Sequence, residues 1–129
     1  MNGSGYSFVI PAYNDCSGLK RHFEYFNNVD AEVQLVIVDD CSTDDTASLV
    51  ANTVLPPNVE LLYHRQEVNA GPAAARNKGI ALASREYLVF LDADDVLADC
   101  FFGVAALAPF TPKVDFVLFK HHLSLDSDV

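Results

Sequence analysis

The sequence is poor in positive charge and contains no long apolar run. Its 129 residues include 8 lysines and arginines against 18 aspartates and glutamates, a formal net charge of −10. This acidity repels nucleic acid and anionic membranes, so a phosphorylated ligand would need a cation between itself and the protein. No apolar stretch reaches the roughly 18 residues of a transmembrane helix, and no signal peptide is recognisable. We therefore expect no nucleic-acid partner, no transmembrane segment and a cytoplasmic location, with any membrane association supplied by regions outside this sequence.

Cysteine, histidine and glycine are too few or wrongly spaced for several kinds of site. Cys16, Cys41 and Cys100 are an odd number without a Cys-x-x-Cys pair, which disfavours a disulfide framework or a zinc knuckle, so we interpret them as structural thiols. His22 and His64 are expected to be surface or packing residues, and His121-His122 end a predicted strand without acidic partners at ligand spacing, so metal binding by histidine is disfavoured. No Gly-x-Gly-x-x-Gly follows a predicted strand, which argues against a dinucleotide-binding Rossmann domain.

Short apolar runs alternate with helical patterns along the chain. The predicted strands are residues 6–10, 33–38, 59–63, 87–91 and 116–119. Helical spacing of apolar residues predicts a helix after each of the first three strands and a short one through Phe101, Phe102 and Leu107. Parallel neighbours in a sheet need helical crossovers of about this length. The sequence therefore predicts one α/β domain over residues 1–129, a three-layer sandwich with a mostly parallel sheet.

Local signals predict where these elements begin and end. Pro11 is expected to stop the first strand, and Pro72 to lie in the first turn of the third helix, which should run to about Ser84. Pro56-Pro57 should end the second helix. The candidate N-caps are Asn14, Asp15 or Ser17 for the first helix and Ser42 or Thr43 for the second.

Polar clusters follow the first, second and fourth predicted strands, at residues 11–14, 39–40 and 92–95. In parallel α/β sheets ligands bind beyond the carboxyl ends of the strands, so these three clusters should share one edge. Carboxylates as close as Asp92, Asp94 and Asp95 repel one another unless a cation lies between them, and oxygen ligands favour Mg²⁺ or Mn²⁺. Asp92 and Asp94 can face a common centre, while Asp95 points aside or joins through water. The alternative is a solvated turn with an acidic helix N-terminus.

An acid pair and two single residues are further candidates with open alternatives. One acid of the pair Asp39-Asp40 can cap the following turn while the other accepts hydrogen bonds from a ligand, although both could simply shape the turn. Tyr13 can stack on a flat base or bury its ring. Arg76 can meet a diphosphate or an aspartate of the acidic cluster, or lie on the surface.

Four segments together resemble the family 2 glycosyltransferases of the GT-A fold. They are Pro11-Ala12-Tyr13-Asn14, Val38-Asp39-Asp40-Cys41-Ser42-Thr43-Asp44, Asn69-Ala70-Gly71-Pro72-Ala73-Ala74-Ala75-Arg76-Asn77 and Asp92-Ala93-Asp94-Asp95. The resemblance is ordered along the chain and spans roughly residues 6–107. It implies that Pro11, Ala12 and Tyr13 line a nucleotide base and that Asp40 binds the base edge, typically of uracil. It further implies that Asp92 and Asp94 form the Asp-x-Asp element of a metal site, with Asp94 and Asp95 nearest the metal and Asp92 nearer the ribose or the metal's waters. Arg76 would support the nucleotide-diphosphate pocket.

The activity implied by the resemblance is inverting transfer of a hexose from a nucleotide-diphosphate sugar, typically a UDP-sugar, to an acceptor glycan or lipid, as in polysaccharide biosynthesis. Such enzymes take their general base from a later segment that nothing here matches, so we assign no catalytic residue and expect this chain to be the N-terminal, donor-binding part of a longer enzyme. The alternative is a nucleotide-sugar binding module that lacks catalysis. A phosphoacceptor receiver domain is disfavoured, because its acid pair would have to follow the first strand.

Overall fold

Four strands and three helices alternate in the computed structural model, which describes residues 3–97. In chain order they are β1 (Gly3–Ala12), α1 (Cys16–Phe26), β2 (Val33–Asp39), α2 (Thr46–Ala51), β3 (Val59–Arg65), α3 (Pro72–Leu82) and β4 (Arg85–Phe90). The helix predicted through Phe101 and Leu107 and the strand predicted at residues 116–119 lie outside the described residues. Among the residues that are described, no helix is both long enough and apolar enough to cross a membrane.

The sheet is parallel throughout, with strand order β3-β2-β1-β4. Side chains alternate between its two faces, because the period of a strand is two residues. Phe8 and Ile10 of β1 pack with the apolar residues of α1 and α2, whereas Val9 packs with Ala75 of α3 on the opposite face. The predicted α/β sandwich of three layers with a parallel sheet is therefore confirmed.

The order of the strands creates a crevice beside β1. The chain moves outward from β1 to β2 and β3, and then returns through α3 to place β4 on the other side of β1. In parallel α/β sheets, such a reversal of strand order opens a crevice at the carboxyl ends of the two strands where it occurs, here β1 and β4. α3 crosses close to β1, because a Cβ at Gly79 would lie 2.2 Å from Cγ1 of Val9. Glycine at this position lets the helix lie against the sheet.

The prediction that Pro11 stops the first strand is wrong. β1 continues through Pro11, which pairs with Val38, to Ala12. The carbonyl of Val9 accepts from Leu91 on the β4 side, and that of Ala12 accepts from Asp40 on the β2 side. By alternation Pro11 faces the β4 side, beyond the last paired residues of that ladder, Val9 and Phe90. The missing N–H of proline therefore removes no ladder bond.

The helix ends differ in detail from the prediction. Asp15 caps α1, as one of the predicted candidates, by accepting from the Gly18 amide. Neither Ser42 nor Thr43 caps α2, which begins only at Thr46. The extra residues form a turn held by Asp44, whose carboxylate accepts from the amide and hydroxyl of Thr46. α2 ends at Ala51, ahead of the two prolines, and α3 begins at Pro72 as predicted but ends at Leu82.

Candidate functional site

A cleft of about 430 Å³ opens at the carboxyl ends of β1, β2 and β4 and at the first turns of α3. All the predicted site residues line it except Asp95; those present are Pro11, Ala12, Tyr13, Asp40, Arg76, Asp92 and Asp94. The other lining residues include Asp15, Asn69 and the first residues of α3, which the sequence indicated as a helix cap or as part of a matching segment but not as site residues. These come from turns that the sequence places near the edge but whose direction it does not specify.

The loop after β1 is tied to the loop after β2. Asn14 has a left-handed backbone with φ of 51°, a conformation that asparagine tolerates better than most residues. Its side-chain Oδ1 accepts from the backbone amides of Thr43 at 2.8 Å and Asp44 at 3.2 Å. Its backbone amide donates to the Ser42 hydroxyl at 2.9 Å. This connection fixes the backbone next to Tyr13, whose side chain is 50% exposed at the cleft. Tyr13 is therefore only half-buried, which is consistent with the stacking alternative.

The two acids at the end of β2 have different partners. Asp39 is fully buried; its Oδ1 accepts from the Ser42 amide at 2.8 Å, which closes the turn, and its Oδ2 accepts from the Tyr63 hydroxyl at 2.5 Å. Burial, and then the hydrogen bond to Asp39, raise the pKa of Tyr63 well above its ordinary value. Arg65 adds a bond to the Ser42 carbonyl at 2.8 Å. Asp39 is thus the acid that caps the turn.

Asp40 lines the cleft and organises the turn before α3. Its two carboxylate oxygens accept from the amides of Ala70 and Gly71, each at 2.8 Å. Gly71 has φ of 94°, which glycine adopts without strain and which directs the chain into Pro72. Only 5% of Asp40 is exposed, yet a carboxylate offers about four lone-pair sites, so acceptor capacity beyond these two bonds remains for a ligand.

The acid loop, residues 92–95, follows β4 and is closed by its own hydrogen bonds. The Asp95 amide donates to the Asp92 carbonyl at 3.0 Å, and the Asp92 amide donates to Oδ2 of Asp95 at 3.1 Å. Asp92, Asp94 and Asp95 each offer an oxygen, and these oxygens lie within 4.8 Å of one another. Asp94 is the most exposed of the three. Three carboxylate donors without nitrogen or sulfur are the ligand set that suits Mg²⁺ or Mn²⁺.

Arg76 meets the acid loop from α3. Its Nη2 donates to Oδ1 of Asp92 at 3.0 Å, and the two side chains are 38% and 43% exposed. Of the alternatives predicted for Arg76, the structure therefore shows the contact with an aspartate of the acidic cluster. Asn77, the next residue in the matching segment, is exposed and does not line the cleft.

The cleft is electrostatically negative. The described residues that line it include four acids, Asp15, Asp40, Asp92 and Asp94, and one basic residue, Arg76. One guanidinium cannot balance four carboxylates together with a diphosphate, so anion binding here calls for a further positive charge. The arrangement is chemically suited to a phosphorylated ligand bridged by a divalent cation.

His22 supports the acid loop in a way that the sequence did not reveal. The expectation that it is a surface or packing residue is correct as to packing, since only 2% of it is exposed. Its Nε2 also lies 3.1 Å from the Asp92 carbonyl oxygen. Burial holds the pKa of His22 below its ordinary value, so the imidazole is neutral at neutral pH. Because a carbonyl only accepts, Nε2 carries the proton and donates.

Known proteins match both the sequence and the fold. Residues 7–119 match the sequence model of the family described as glycosyl transferase family 2. The succinoglycan biosynthesis protein ExoO of Rhizobium meliloti (strain 1021) is 38% identical over 92 residues, which cover 70% of this chain and 26% of that protein. The family match therefore covers most of the described sheet and all four segments of the resemblance.

Two solved structures resemble the chain. The crystal structure of S. aureus TarS 1-349 in complex with UDP-GlcNAc has a TM-score of 0.68 and 28% identity, covering 79% of this chain and 30% of that one. The mannosyltransferase PcManGT from Pyrobaculum calidifontis, in complex with GDP-Man and Mn²⁺, has a TM-score of 0.67 and 25% identity, covering 83% and 33%. The chain thus spans about a quarter to a third of the length of each of the three proteins named. With the parallel sheet shared and the family match extending over most of its length, the chain has the GT-A fold and belongs to glycosyl transferase family 2.

Proposed function

We propose that this chain is the donor-binding part of a metal-dependent glycosyltransferase, which takes a nucleotide-diphosphate sugar, most simply a UDP-sugar, in the cleft beside β1. The observation that carries the proposal is the convergence of Asp92, Asp94 and Asp95, with oxygens within 4.8 Å of one another. Asp92 and Asp94 line the cleft, whose described lining holds a single arginine. Ligands named in the relatives' structures, UDP-GlcNAc in TarS and GDP-Man with Mn²⁺ in PcManGT, belong to the same chemical class.

Each part of the cleft has a role in this proposal. Pro11, Ala12 and Tyr13 line the base, and Asp40 offers its remaining acceptor sites to the base edge. Uracil presents one N–H donor, which a carboxylate oxygen can accept. Tyr13 supplies a flat, half-exposed ring for stacking.

The remaining residues face the diphosphate. Arg76 has the planar guanidinium that suits phosphate oxygens, and it lies beside the acid loop. Asp94, Asp92 and Asp95 would hold Mn²⁺ or Mg²⁺. When bound there, such a cation would neutralise the negative charge that develops on a nucleoside-diphosphate leaving group.

The transfer itself is proposed for the whole enzyme. Inverting transfer of a hexose to a glycan or lipid acceptor needs a general base, and we assign that role to none of the described residues. A cytoplasmic location and a single domain over residues 1–129 stay predictions. The alternative, a binding module without catalysis, predicts donor binding but neither glycosyl transfer nor donor hydrolysis, and an assay of both reactions on this chain and on a longer one separates the two.

Calorimetry tests the proposed site. We expect UDP to bind the 129-residue chain in the presence of Mn²⁺ and to lose most of its affinity when a chelator is added. Asp94→Asn should lower Mn²⁺ affinity by more than about tenfold, since it removes the negative charge of a side chain proposed to coordinate the metal. Asp45→Asn is the matched control, because Asp45 is an exposed acid outside the cleft whose side chain makes no capping bond.

A second variant separates base recognition from metal binding. Asp40→Asn should weaken UDP binding while the dependence on Mn²⁺ persists, since Asp40 belongs to the β2 side of the cleft. Two results would reject the proposal: UDP and GDP both fail to bind at any Mn²⁺ concentration, or Asp94→Asn binds Mn²⁺ as tightly as wild type.

A further inference from the structure

α1 packs directly against the backbone of the acid loop. Gly18 and His22 are four residues apart and therefore lie on the same face of the helix. A Cβ at Gly18 would lie 2.3 Å from the Ala93 carbonyl oxygen, so the first turn of α1 is in contact with the loop backbone. One turn later, Nε2 of His22 donates to the carbonyl of Asp92 at 3.1 Å. Two independent contacts thus join one helix face to adjacent peptide units of the loop.

The Asp92 carbonyl is the point at which two restraints meet. It accepts from the Asp95 amide, which closes the acid loop, and from His22, which attaches the loop to α1. A carbonyl oxygen has two lone pairs, so both are engaged. Burial of His22 leaves its ring little freedom to follow the loop if the loop moves. His22 therefore restrains the position of the Asp92 carbonyl.

The acid loop needs such a restraint. Three carboxylates whose oxygens lie within 4.8 Å of one another repel, and this repulsion favours opening of the loop in the absence of a cation. The ladder to β1 ends at the bond from the Leu91 amide to the Val9 carbonyl, just before the first acid. Beyond that bond, attachment of the loop backbone to α1 opposes the repulsion.

We infer that His22 is a positioning residue for the metal site: by holding the Asp92 carbonyl it keeps the acid loop closed, so that the three carboxylates stay converged for a divalent cation. This inference rests on the proposed function, because it assumes that the acid loop binds the cation. His22 itself touches neither the cation nor the nucleotide. Its contribution is therefore to Mn²⁺ affinity and loop geometry, and not to base recognition.

Substitutions that preserve or remove the donor test this role. His22→Leu keeps an apolar side chain of similar size but cannot donate, whereas His22→Gln carries an amide N–H at about the distance of Nε2. We expect Mn²⁺ affinity of the full 129-residue chain to fall about tenfold in His22→Leu, the lower end of the range for residues that orient metal ligands. In His22→Gln it should stay within about threefold of wild type. If the two variants bind Mn²⁺ equally well, the inference is wrong.

A control separates positioning from loss of packing. Phe26 lies on the same helix, is fully buried and packs on Phe8 with ring centroids 4.9 Å apart. Phe26→Leu should lower the melting temperature but leave Mn²⁺ affinity unchanged. An equal loss of Mn²⁺ affinity in Phe26→Leu and His22→Leu would overturn the inference in favour of general destabilisation.

Gly18→Ala provides a second variant should His22→Leu not fold. Alanine favours the helix over glycine, but its Cβ would meet the Ala93 carbonyl and displace the loop. We expect Gly18→Ala to fold and yet to lose Mn²⁺ affinity. Wild-type affinity in Gly18→Ala would contradict the close attachment of α1 to the loop.

Amide hydrogen exchange measured without metal tests whether His22 holds the acid loop, independently of whether the loop binds a cation. The Asp92 and Asp95 amides are the donors that close the acid loop, so they should exchange faster in His22→Leu than in wild type or Phe26→Leu, while amides of β1 and β2 change little. If wild type binds neither Mn²⁺ nor UDP, the proposed function fails, and the exchange of these two amides alone decides whether His22 holds the loop. Unchanged exchange in His22→Leu would overturn the inference even if Mn²⁺ binds.

Discussion

Replacing Arg76 by glutamine should change the binding of Mn²⁺ and of UDP in opposite directions. In the structure Nη2 of Arg76 lies 3.0 Å from Oδ1 of Asp92, a carboxylate that a bound cation would share. The same guanidinium is the only basic group among the described residues of the cleft, and so the one side chain there that can offer positive charge to a diphosphate. Arg76→Gln should therefore strengthen binding of Mn²⁺ alone and weaken binding of UDP in the presence of Mn²⁺.

The magnitudes follow from charge and exposure. Because both side chains are more than a third exposed, the ion pair itself contributes only about 0–1 kcal/mol to stability, and the variant should fold normally. A unit charge roughly 6 Å from a divalent ion repels it by about 1.4 kcal/mol in water, less with added salt, so Mn²⁺ should bind roughly three- to tenfold more tightly. A lost hydrogen bond between charged groups, worth roughly 1.5–3 kcal/mol, should weaken UDP binding roughly ten- to a hundredfold.

Calorimetry at low and high ionic strength measures both effects. Mn²⁺ is titrated first without nucleotide, and UDP is then titrated at saturating Mn²⁺. Lys78→Gln is the matched control, since it removes one positive charge from the same helix two residues away, outside the cleft. Changes of the same sign for Mn²⁺ and UDP, or equal changes in Lys78→Gln, would refute the assignment of Arg76 to both partners.

Three further predictions concern stability. Tyr63→Phe should destabilise the fold by roughly 1–3 kcal/mol in urea unfolding, because it removes the donor to the buried Asp39. The pKa of Tyr63 is raised in the folded state, so the contribution of this hydroxyl is complete below the unfolded-state pKa of about 10 and is lost as pH rises towards the folded-state pKa; wild type and Tyr63→Phe should therefore converge in alkali. Gly79→Ala should cost roughly 1–3 kcal/mol despite the better helix propensity of alanine, because its Cβ would overlap Val9; an equal or higher unfolding free energy would contradict the close crossing of α3. UDP with Mn²⁺ at about 100 times the dissociation constant should stabilise the chain by about 2.7 kcal/mol, visible as a rise in melting temperature.

The strands were predictable because each is a short apolar run, buried over its whole length in β2 and partly buried in β3 and β4. Each apolar run in the described residues became a strand, and the parallel order followed from the helices between them. The ends were less predictable. Pro11 signals a strand end by its own chemistry, but whether a missing N–H matters depends on which neighbour it would face. That neighbour, β4, lies 70 or more residues later in the chain, so the local sequence could not reveal that the ladder had already ended there.

The site was predictable as a location and less so as a set of contacts. That the acids share an edge follows from parallel topology alone. The bond from Arg76 to Asp92 spans 16 residues and that from His22 to Asp92 spans 70, so both depend on how α3 and α1 lie on the sheet. A helical histidine next to apolar residues is equally consistent with simple packing. Only the three-dimensional structure distinguishes a packing histidine from one that also holds a peptide carbonyl.

The different partners of Asp39 and Asp40 follow from the same alternation that builds the sheet. Along β2, Ile37 packs on the face of α1 and α2, whereas Val36 and Val38 pack on the face of α3. A period of two then assigns Asp39 to the first face, where Tyr63 is its partner, and Asp40 to the second, where the turn before α3 is its partner. The return of the chain through α3 brings Gly71 and Arg76, which line the cleft, to this second face. Which acid of the pair can meet a ligand is therefore decided by strand parity, and exchanging the two roles would require a shift of register that also turned every apolar residue of β2 to the opposite face.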